Sequence, residues 1–239
     1  MLYKWNMQAV FICGGKGTRL RPGHAGPKSL VPIGGSTLLA RLISHVRRFH
    51  SSSKPPVVVV DAQDQETPDA LVDLLPGACV VHQPQPDGVA NALLLAQPLL
   101  DDIAIVTLGD LFWEGTFASI PQEAGVVFWR DASAEETAKN FGITSGSDGF
   151  ASGVVEKPTR SHGLSCGMGV YVLTHSVISC FNQAPIDPRT GERGITCGIQ
   201  AAITAGRRFR AIPFSGYYNN VNSSADVISV ENYLARPVR

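Results

Sequence analysis

Residues 57–60 are four consecutive valines. Successive side chains of a strand point to opposite faces, so a run that is β-branched at every position belongs to a strand buried on both sides. A parallel sheet covered by helices on both faces meets that requirement, and the neighbouring sequence repeats the pattern. Strand-length apolar runs at 8–13, 56–62, 79–83 and 103–108 alternate with helix-period stretches at 37–50, 69–75 and 89–100. After Asp110 the chain becomes richer in Gly, Ser and Pro, with antiparallel strands expected at 126–130, 153–157 and 167–173 and a closing helix at 226–234. The expected fold class is a single-domain α/β fold. It has a Rossmann-like mixed, mainly parallel sheet flanked by helices and a smaller antiparallel portion that binds substrate.

Charge narrows the function. Twenty Lys and Arg balance twenty Asp and Glu over 239 residues, which argues against a general binder of nucleic acid or of a membrane surface. The distribution is uneven: residues 1–60 hold nine bases and no acid, because the first carboxylate is Asp61. That asymmetry leaves room for a local anionic ligand. Five scattered cysteines, none in a C-x-x-C pair, suggest neither a disulfide framework nor a zinc site. With no run approaching the roughly 20 apolar residues of a membrane span, a cytoplasmic protein is expected.

The strongest motif is Gly14-Gly15-Lys16-Gly17-Thr18-Arg19-Leu20-Arg21-Pro22, directly after a strand and followed by Pro27-Lys28. Glycines at three of four positions let the backbone approach a polyphosphate and aim N–H groups at it, while Lys and Arg offset its charge. A dinucleotide-binding G-x-G-x-x-G would need a further glycine near Leu20 and an acid about 20 residues on. A Walker A loop would need Gly-Lys-Ser/Thr, and Gly26-Pro27-Lys28-Ser29 inserts a proline without an N–H.

This stretch resembles the signature of the sugar-1-phosphate nucleotidyltransferases, which join a nucleoside triphosphate to a sugar phosphate and release pyrophosphate. Further strings recur in the family's order. Residues 83–90 resemble the base-recognition stretch of glucose-1-phosphate thymidylyltransferases, and Leu108-Gly109-Asp110 resembles a metal-binding strand end. Phe141-Gly142, Glu156-Lys157-Pro158, Gly169-Val170-Tyr171 and Arg193-Gly194-Ile195-Thr196 resemble later acceptor contacts. The resemblance implies one nucleotide-diphospho-sugar-transferase-like domain over 1–239, with a nucleotide-binding portion at about 7–115 and an acceptor-binding portion at about 116–239.

Carried over residue by residue, the resemblance implies that Gly14, Gly15, Lys16, Gly17 and Thr18 wrap the triphosphate and that Arg19 braces the departing pyrophosphate. Lys28 sits on the α-phosphate, where charge builds in the transition state. Gln83 pairs with a pyrimidine edge through its amide donor and acceptor, and Gly88 leaves room for the base. Asp110 holds Mg²⁺, a hard cation suited to carboxylate and phosphate oxygens. Gly142, Glu156, Lys157, Tyr171 and Arg193 contact the acceptor, with Glu156 on its hydroxyls and Lys157 and Arg193 on its phosphate. The implied partners are a nucleoside triphosphate and a sugar 1-phosphate in nucleotide-sugar biosynthesis, with no nucleic acid or membrane, and a homo-oligomer is compatible with all of this.

Two departures stand out. Where the family often places a second metal-binding Asp, this chain has Asn220-Val221-Asn222-Ser223, so the second ligand is Asn220 or Asn222. The stretch Leu111-Phe112-Trp113-Glu114 also differs from thymidylyltransferases, which leaves the acceptor open. A cyclitol phosphate, an amino-alcohol phosphate or a phosphonate would serve the same chemistry, and the loss of a charged ligand also admits a non-catalytic nucleotide-sugar sensor. The tryptophans read as core or rim packing, with Trp113 close enough to Asp110 to line an acceptor pocket. The bases Arg41, Arg47, Arg48 and Lys54 read as a solvated helix face.

Overall fold

In the computed structural model, which describes residues 6–15, 20, 24–117, 120, 125–188 and 190–236, the chain opens with strand β1 (Met7–Ile12). A small hairpin of β2 (Pro32–Ile33) and β3 (Ser36–Thr37) leads into helix α1 (Leu38–Val46), whose N-cap Thr37 accepts a hydrogen bond from the Ala40 N–H at 3.2 Å. The valine run lies in β4 (Val57–Asp61), followed by α2 (Glu66–Leu74), β5 (Cys79–Gln83), α3 (Val89–Ala96) and β6 (Ile103–Leu108). Helix α3 is shorter than its apolar stretch because Pro98, which has no N–H to continue the ladder, falls in a 3₁₀ turn at Gln97–Leu99.

The second half contains β7 (Leu111–Phe117), β8 (Gly125–Arg130), α4 (Ala134–Lys139), β9 (Phe141–Ser145), β10 (Ala151–Glu156) and β11 (Ser165–Thr174). It closes with α5 (His175–Cys180), α6 (Ile195–Thr204), β12 (Phe209–Asn220) and α7 (Ser224–Leu234). Helix α7 starts with a reciprocal capping box between Ser223 and Asp226. The sequence pattern did not announce the antiparallel ribbon of β7 and β12. Its strands are interrupted by Gly115, Pro213 and Gly216, and its partners lie about a hundred residues apart.

One ten-stranded sheet runs β5-β4-β1-β6-β11-β8-β12-β7, with β9 attached to β11 and β10 to β9. β5, β4, β1 and β6 are parallel, whereas β11 runs antiparallel to both β6 and β8. The valines divide as the two-face argument requires. Val58 and Val60 join Phe11 and Ile105 in the core on one face, and Val57 and Val59 join Val10, Ile12 and Val106 in the core on the other. Helix α1 covers the first face, and α3, α5 and α6 cover the second.

This topology fixes where a ligand can bind. From β1 the chain passes to β4 on one side and later returns to β6 on the other, so the crevice at the carboxyl ends of β1 and β6 is a topological switch point. Ile12 pairs with Leu108 in register, the Gly109 N–H donates to the Ile12 carbonyl at 2.7 Å, and the Cys13 N–H donates to the Val59 carbonyl at 2.7 Å. Both loops therefore leave the sheet side by side. Among the described residues, no helix is long and apolar enough to cross a membrane.

Gly109 is required by close approach. A Cβ there would lie 2.8 Å from Cys13 Sγ and 3.0 Å from both Cys13 Cα and the Ile12 carbonyl oxygen. Two of these atoms are backbone, so relief means separating the strand ends. Gly109→Ala is expected to lower stability by about 1–3 kcal/mol in urea denaturation, the usual cost of overpacking.

Candidate active site

Three stretches far apart in sequence converge at the switch point. Lys28 opens a 3₁₀ turn (Lys28–Leu30) immediately after Pro27. Its Nζ donates to Asp110 Oδ2 at 2.6 Å and to Asn222 Oδ1 at 2.5 Å. Asp110 directly follows the Gly109 that β6 delivers, and its carbonyl accepts the Val221 N–H at 2.8 Å, which ties the end of β12 to the end of β6. Lys28 is largely buried, so its charge acts at short range in a medium less polar than water.

Asn220 and Asn222 separate clearly. Asn220 Oδ1 accepts the Tyr218 hydroxyl at 2.8 Å and its Nδ2 donates to Asn140 Oδ1, so both ends of the amide are engaged within the protein. Asn222 Oδ1 instead faces Lys28 beside Asp110. Asp110 and Asn222 thus present one carboxylate and one amide oxygen to a common point. Among the described residues, no group of three His, Cys, Asp or Glu side chains gathers anywhere to form an all-protein metal cage.

Two cavities meet at Asp110. The first, about 210 Å³, is lined by Gly14, Gly15, Lys28, Gln83, Gly88 and Asp110 among others. The second, about 530 Å³, includes Asp110, Glu156, Lys157, Tyr171, Asn220 and Asn222 in its walls. Its volume falls within the range of small-molecule sites, roughly 300–1,000 Å³. Lys16, Gly17, Thr18 and Arg19 lie outside the described residues.

In the first cavity, buried Gln83 has its amide orientation set. Nε2 donates to Asp87 Oδ1 at 2.6 Å and to the Gly88 carbonyl at 3.3 Å. The donor half expected to meet a base is therefore committed to the protein, and Oε1 lies on the side of Gly14, where a Cβ would come within 3.3 Å of it. Gly88 has φ +109°, and a Cβ on it would fall 2.3 Å from the Arg193 carbonyl oxygen. Its lack of a side chain serves that backbone contact as well as the cavity wall.

Two residues expected at the acceptor do not line its cavity. The Arg193 guanidinium donates to Asn91 Oδ1 at 2.9 Å and to the Ala184 carbonyl at 3.0 Å, and it is not among the residues lining the acceptor cavity. Its backbone does a different job. The Arg193 N–H donates to the Asp87 carbonyl at 2.7 Å, and the Arg193 carbonyl accepts the Ala90 N–H at 3.0 Å, which clips the loop before α6 to the start of α3. Gly142 also lies off the cavity: a Cβ there would meet Leu164 Cδ1 at 2.5 Å, so glycine is needed for packing. Trp113 is a core residue, 1% exposed, packed between His45, Phe117 and Phe214, and it does not reach the acceptor cavity. Arg41 is engaged rather than merely solvated, with Nε donating to the Ile33 carbonyl at 3.0 Å.

On the acceptor side, Glu156 ends β10 and accepts the hydroxyl of buried Thr196 at 3.2 Å. Tyr171 is fully buried, and burial pushes its hydroxyl well above the ordinary tyrosine range, so it stays protonated. Sequence reasoning did not find Asn140 and Tyr218, which also line this cavity. Tyr218 sits within the polar run 217–220, the one signal that could have drawn attention to it.

Cys13 borders the first cavity, but burial, reinforced by the nearby Asp64 and Asp110 carboxylates, pushes its thiol up to about 12. It is therefore a neutral lining group at physiological pH, not a nucleophile. In native alkylation with iodoacetamide at pH 8, mapped by mass spectrometry, the half-buried Cys79, Cys180 and Cys197 are expected to label well before Cys13.

The similarities of the chain agree with this geometry. It is 27% identical to a protein described as bifunctional protein GlmU from Methanococcus maripaludis, over 97% of this chain and 55% of that protein. It is 30% identical to a glucose-1-phosphate thymidylyltransferase from Streptomyces griseus, over 95% of this chain and 66% of that one. The chain therefore spans about half to two thirds of the length of these relatives. Its fold matches a crystal structure of UDP-glucose pyrophosphorylase complexed with UDP-glucose at a TM-score of 0.80, with 19% identity, covering 97% of this chain and 100% of that one. The family model described as nucleotidyl transferase matches residues 8–235, so the chain belongs to the nucleotidyl transferase family.

Proposed function

We propose that this protein joins a nucleoside triphosphate to a sugar 1-phosphate, releasing pyrophosphate and forming a nucleotide-activated sugar. The observation that carries this reading is Asp110, the shared wall of two cavities, held with Asn222 on one lysine. One cavity has a glycine-rich rim and a buried amide suited to a base. The other has a carboxylate and a lysine suited to a hydroxylated, phosphorylated acceptor. A reaction between two bound phosphates belongs where these cavities meet.

In this reading the acceptor phosphate oxygen attacks the α-phosphorus in line. The new O–P bond forms as the bond from the α-phosphorus to the oxygen bridging the β-phosphorus breaks, and pyrophosphate leaves. No side-chain nucleophile takes part, which suits a protonated, buried Cys13. Lys28 stabilises charge on the α-phosphate, and Lys16, Thr18 and Arg19 bear on the rest of the triphosphate. Glu156 accepts hydrogen bonds from acceptor hydroxyls, Lys157 meets the acceptor phosphate, and Tyr171 closes the wall behind it. The donor set fits Mg²⁺, because an ion that retains waters and takes phosphate oxygens needs few protein ligands, and Asp110 and Asn222 are oxygen ligands. Held there, Mg²⁺ would neutralise phosphate charge and polarise the reacting oxygens.

Gln83 bears on the choice of base. With its N–H₂ committed to Asp87 and Gly88, the remaining carbonyl oxygen accepts a hydrogen bond. Uracil and thymine offer an N3–H donor at that edge, whereas the N3 of cytosine is an acceptor. The reading is therefore a uridylyl or thymidylyl transfer.

Pyrophosphate release in the presence of Mg²⁺, measured over a panel of triphosphates and sugar 1-phosphates, tests this. UTP or dTTP is expected to outperform CTP, and Asp110→Ala to reduce kcat by roughly 10²–10³-fold, as for loss of one group aimed at transition-state charge. No release over a broad panel, with triphosphate binding indifferent to Mg²⁺, would support a sensor instead. Turnover only with a cyclitol, amino-alcohol or phosphonate acceptor would move the reading to that class.

A further inference from the structure

The turn that carries Glu156 and Lys157 is fixed by a residue outside every recognised motif. Lys157 has φ +43°, the one non-glycine among the described residues with positive φ. A lysine adopts that conformation where its surroundings impose it. Here the Lys157 N–H donates to the Asn140 carbonyl at 2.8 Å, and Pro158 follows immediately. Asn140 is the C-cap residue of α4, and its Nδ2 donates to the Glu136 carbonyl at 2.9 Å.

The other half of the Asn140 side chain, in the cavity wall, faces Asn220. Its Oδ1 accepts from Asn220 Nδ2, whose own Oδ1 accepts the Tyr218 hydroxyl at 2.8 Å. The same hydroxyl accepts the Gly169 N–H at 3.2 Å from β11. Arg130 stacks over the Tyr218 ring at 4.9 Å and pairs with Glu136, which returns the chain of contacts to α4. Three strands and a helix are thus joined through two amides, one phenol and the Arg130 guanidinium. Strand β12 ends at Asn220, two residues before Asn222.

We infer that Asn140 is a positioning residue for the acceptor: it holds the Glu156–Lys157 turn at a set spacing from the end of β12, beyond which Asn222 shares Lys28 with Asp110. It acts through its neighbours, since its amide is engaged by Glu136 and Asn220. A partly buried network of this kind favours one arrangement because both ends of each amide, at Asn140 and at Asn220, are engaged in it. The inference rests on the acceptor cavity proposed above.

Two measurements on the intact chain separate the inference from that functional reading. The first is hydrogen exchange by mass spectrometry. In Asn140→Ala, the peptide containing Lys157 is expected to exchange about tenfold faster, the equivalent of roughly one lost hydrogen bond, while peptides from β1 and β4 keep their protection. Tyr218→Phe removes a single oxygen from the far end of the network and is expected to produce a smaller change at the same peptide, which keeps the test available if Asn140→Ala folds poorly. The second is steady-state kinetics. In Asn140→Ala, KM for the sugar 1-phosphate is expected to rise about tenfold with KM for the triphosphate within about twofold, and Asn140→Asp, which keeps the oxygen facing Asn220 but cannot donate to the Glu136 carbonyl, to recover only part of the loss. Unchanged exchange at Lys157 in both variants overturns the inference, as does an equal rise in both KM values. Absence of turnover in the unaltered protein would overturn the functional reading, and the exchange result alone would then decide the coupling.

Discussion

A single ammonium group organises the centre of this molecule. Lys28 lies 82 residues from Asp110 and 194 from Asn222, yet its Nζ bonds to both, joining the loop after β1, the end of β6 and the end of β12. None of the three can move without costing the others a largely buried partner. With the sheet as backing, that constraint sets where the two cavities meet. In the proposed reading, a cation bound by Asp110 and Asn222 would take the place of Lys28, and a phosphate would receive the freed ammonium.

The charge asymmetry of the chain takes on a spatial meaning. The first 60 residues carry bases and no acid, and they supply the glycine-rich loop and Lys28. Asp110 and Glu156 arrive from later strands, and each faces a partner it can satisfy: Lys28 for the first and the Thr196 hydroxyl for the second. In the proposed reading, a carboxylate within the glycine-rich loop would repel a triphosphate.

Much of the parallel half was legible because its signals are local. A valine at every position of β4 demands burial on both faces, and alternate valines do enter opposite cores. The position of Asp110 just past the end of β6 was also legible, because the apolar run stops at Gly109-Asp110. What stayed hidden depends on contacts between distant residues. The direction of the Arg193 guanidinium is set by Asn91 and the Ala184 carbonyl, and the need for glycine at 142 is set by Leu164. The division between Asn220 and Asn222 needed Asn140, Tyr218 and Lys28 in place. Asn140 itself gave no sign, since an asparagine at a helix end is ordinarily just a cap.

If nucleotidyl transfer takes place at the Lys28, Asp110 and Asn222 cluster, a crystal structure of the protein with Mg²⁺ and a uridine or thymidine diphosphate sugar is expected to show it. The expected result is a metal ion bound by oxygens of Asp110 and Asn222, Lys28 Nζ moved from Asp110 to the α-phosphate, the base against Gln83 Oε1 and the sugar beside Glu156. A product bound elsewhere, with the Lys28–Asp110 pair intact and no metal on Asp110, would contradict it.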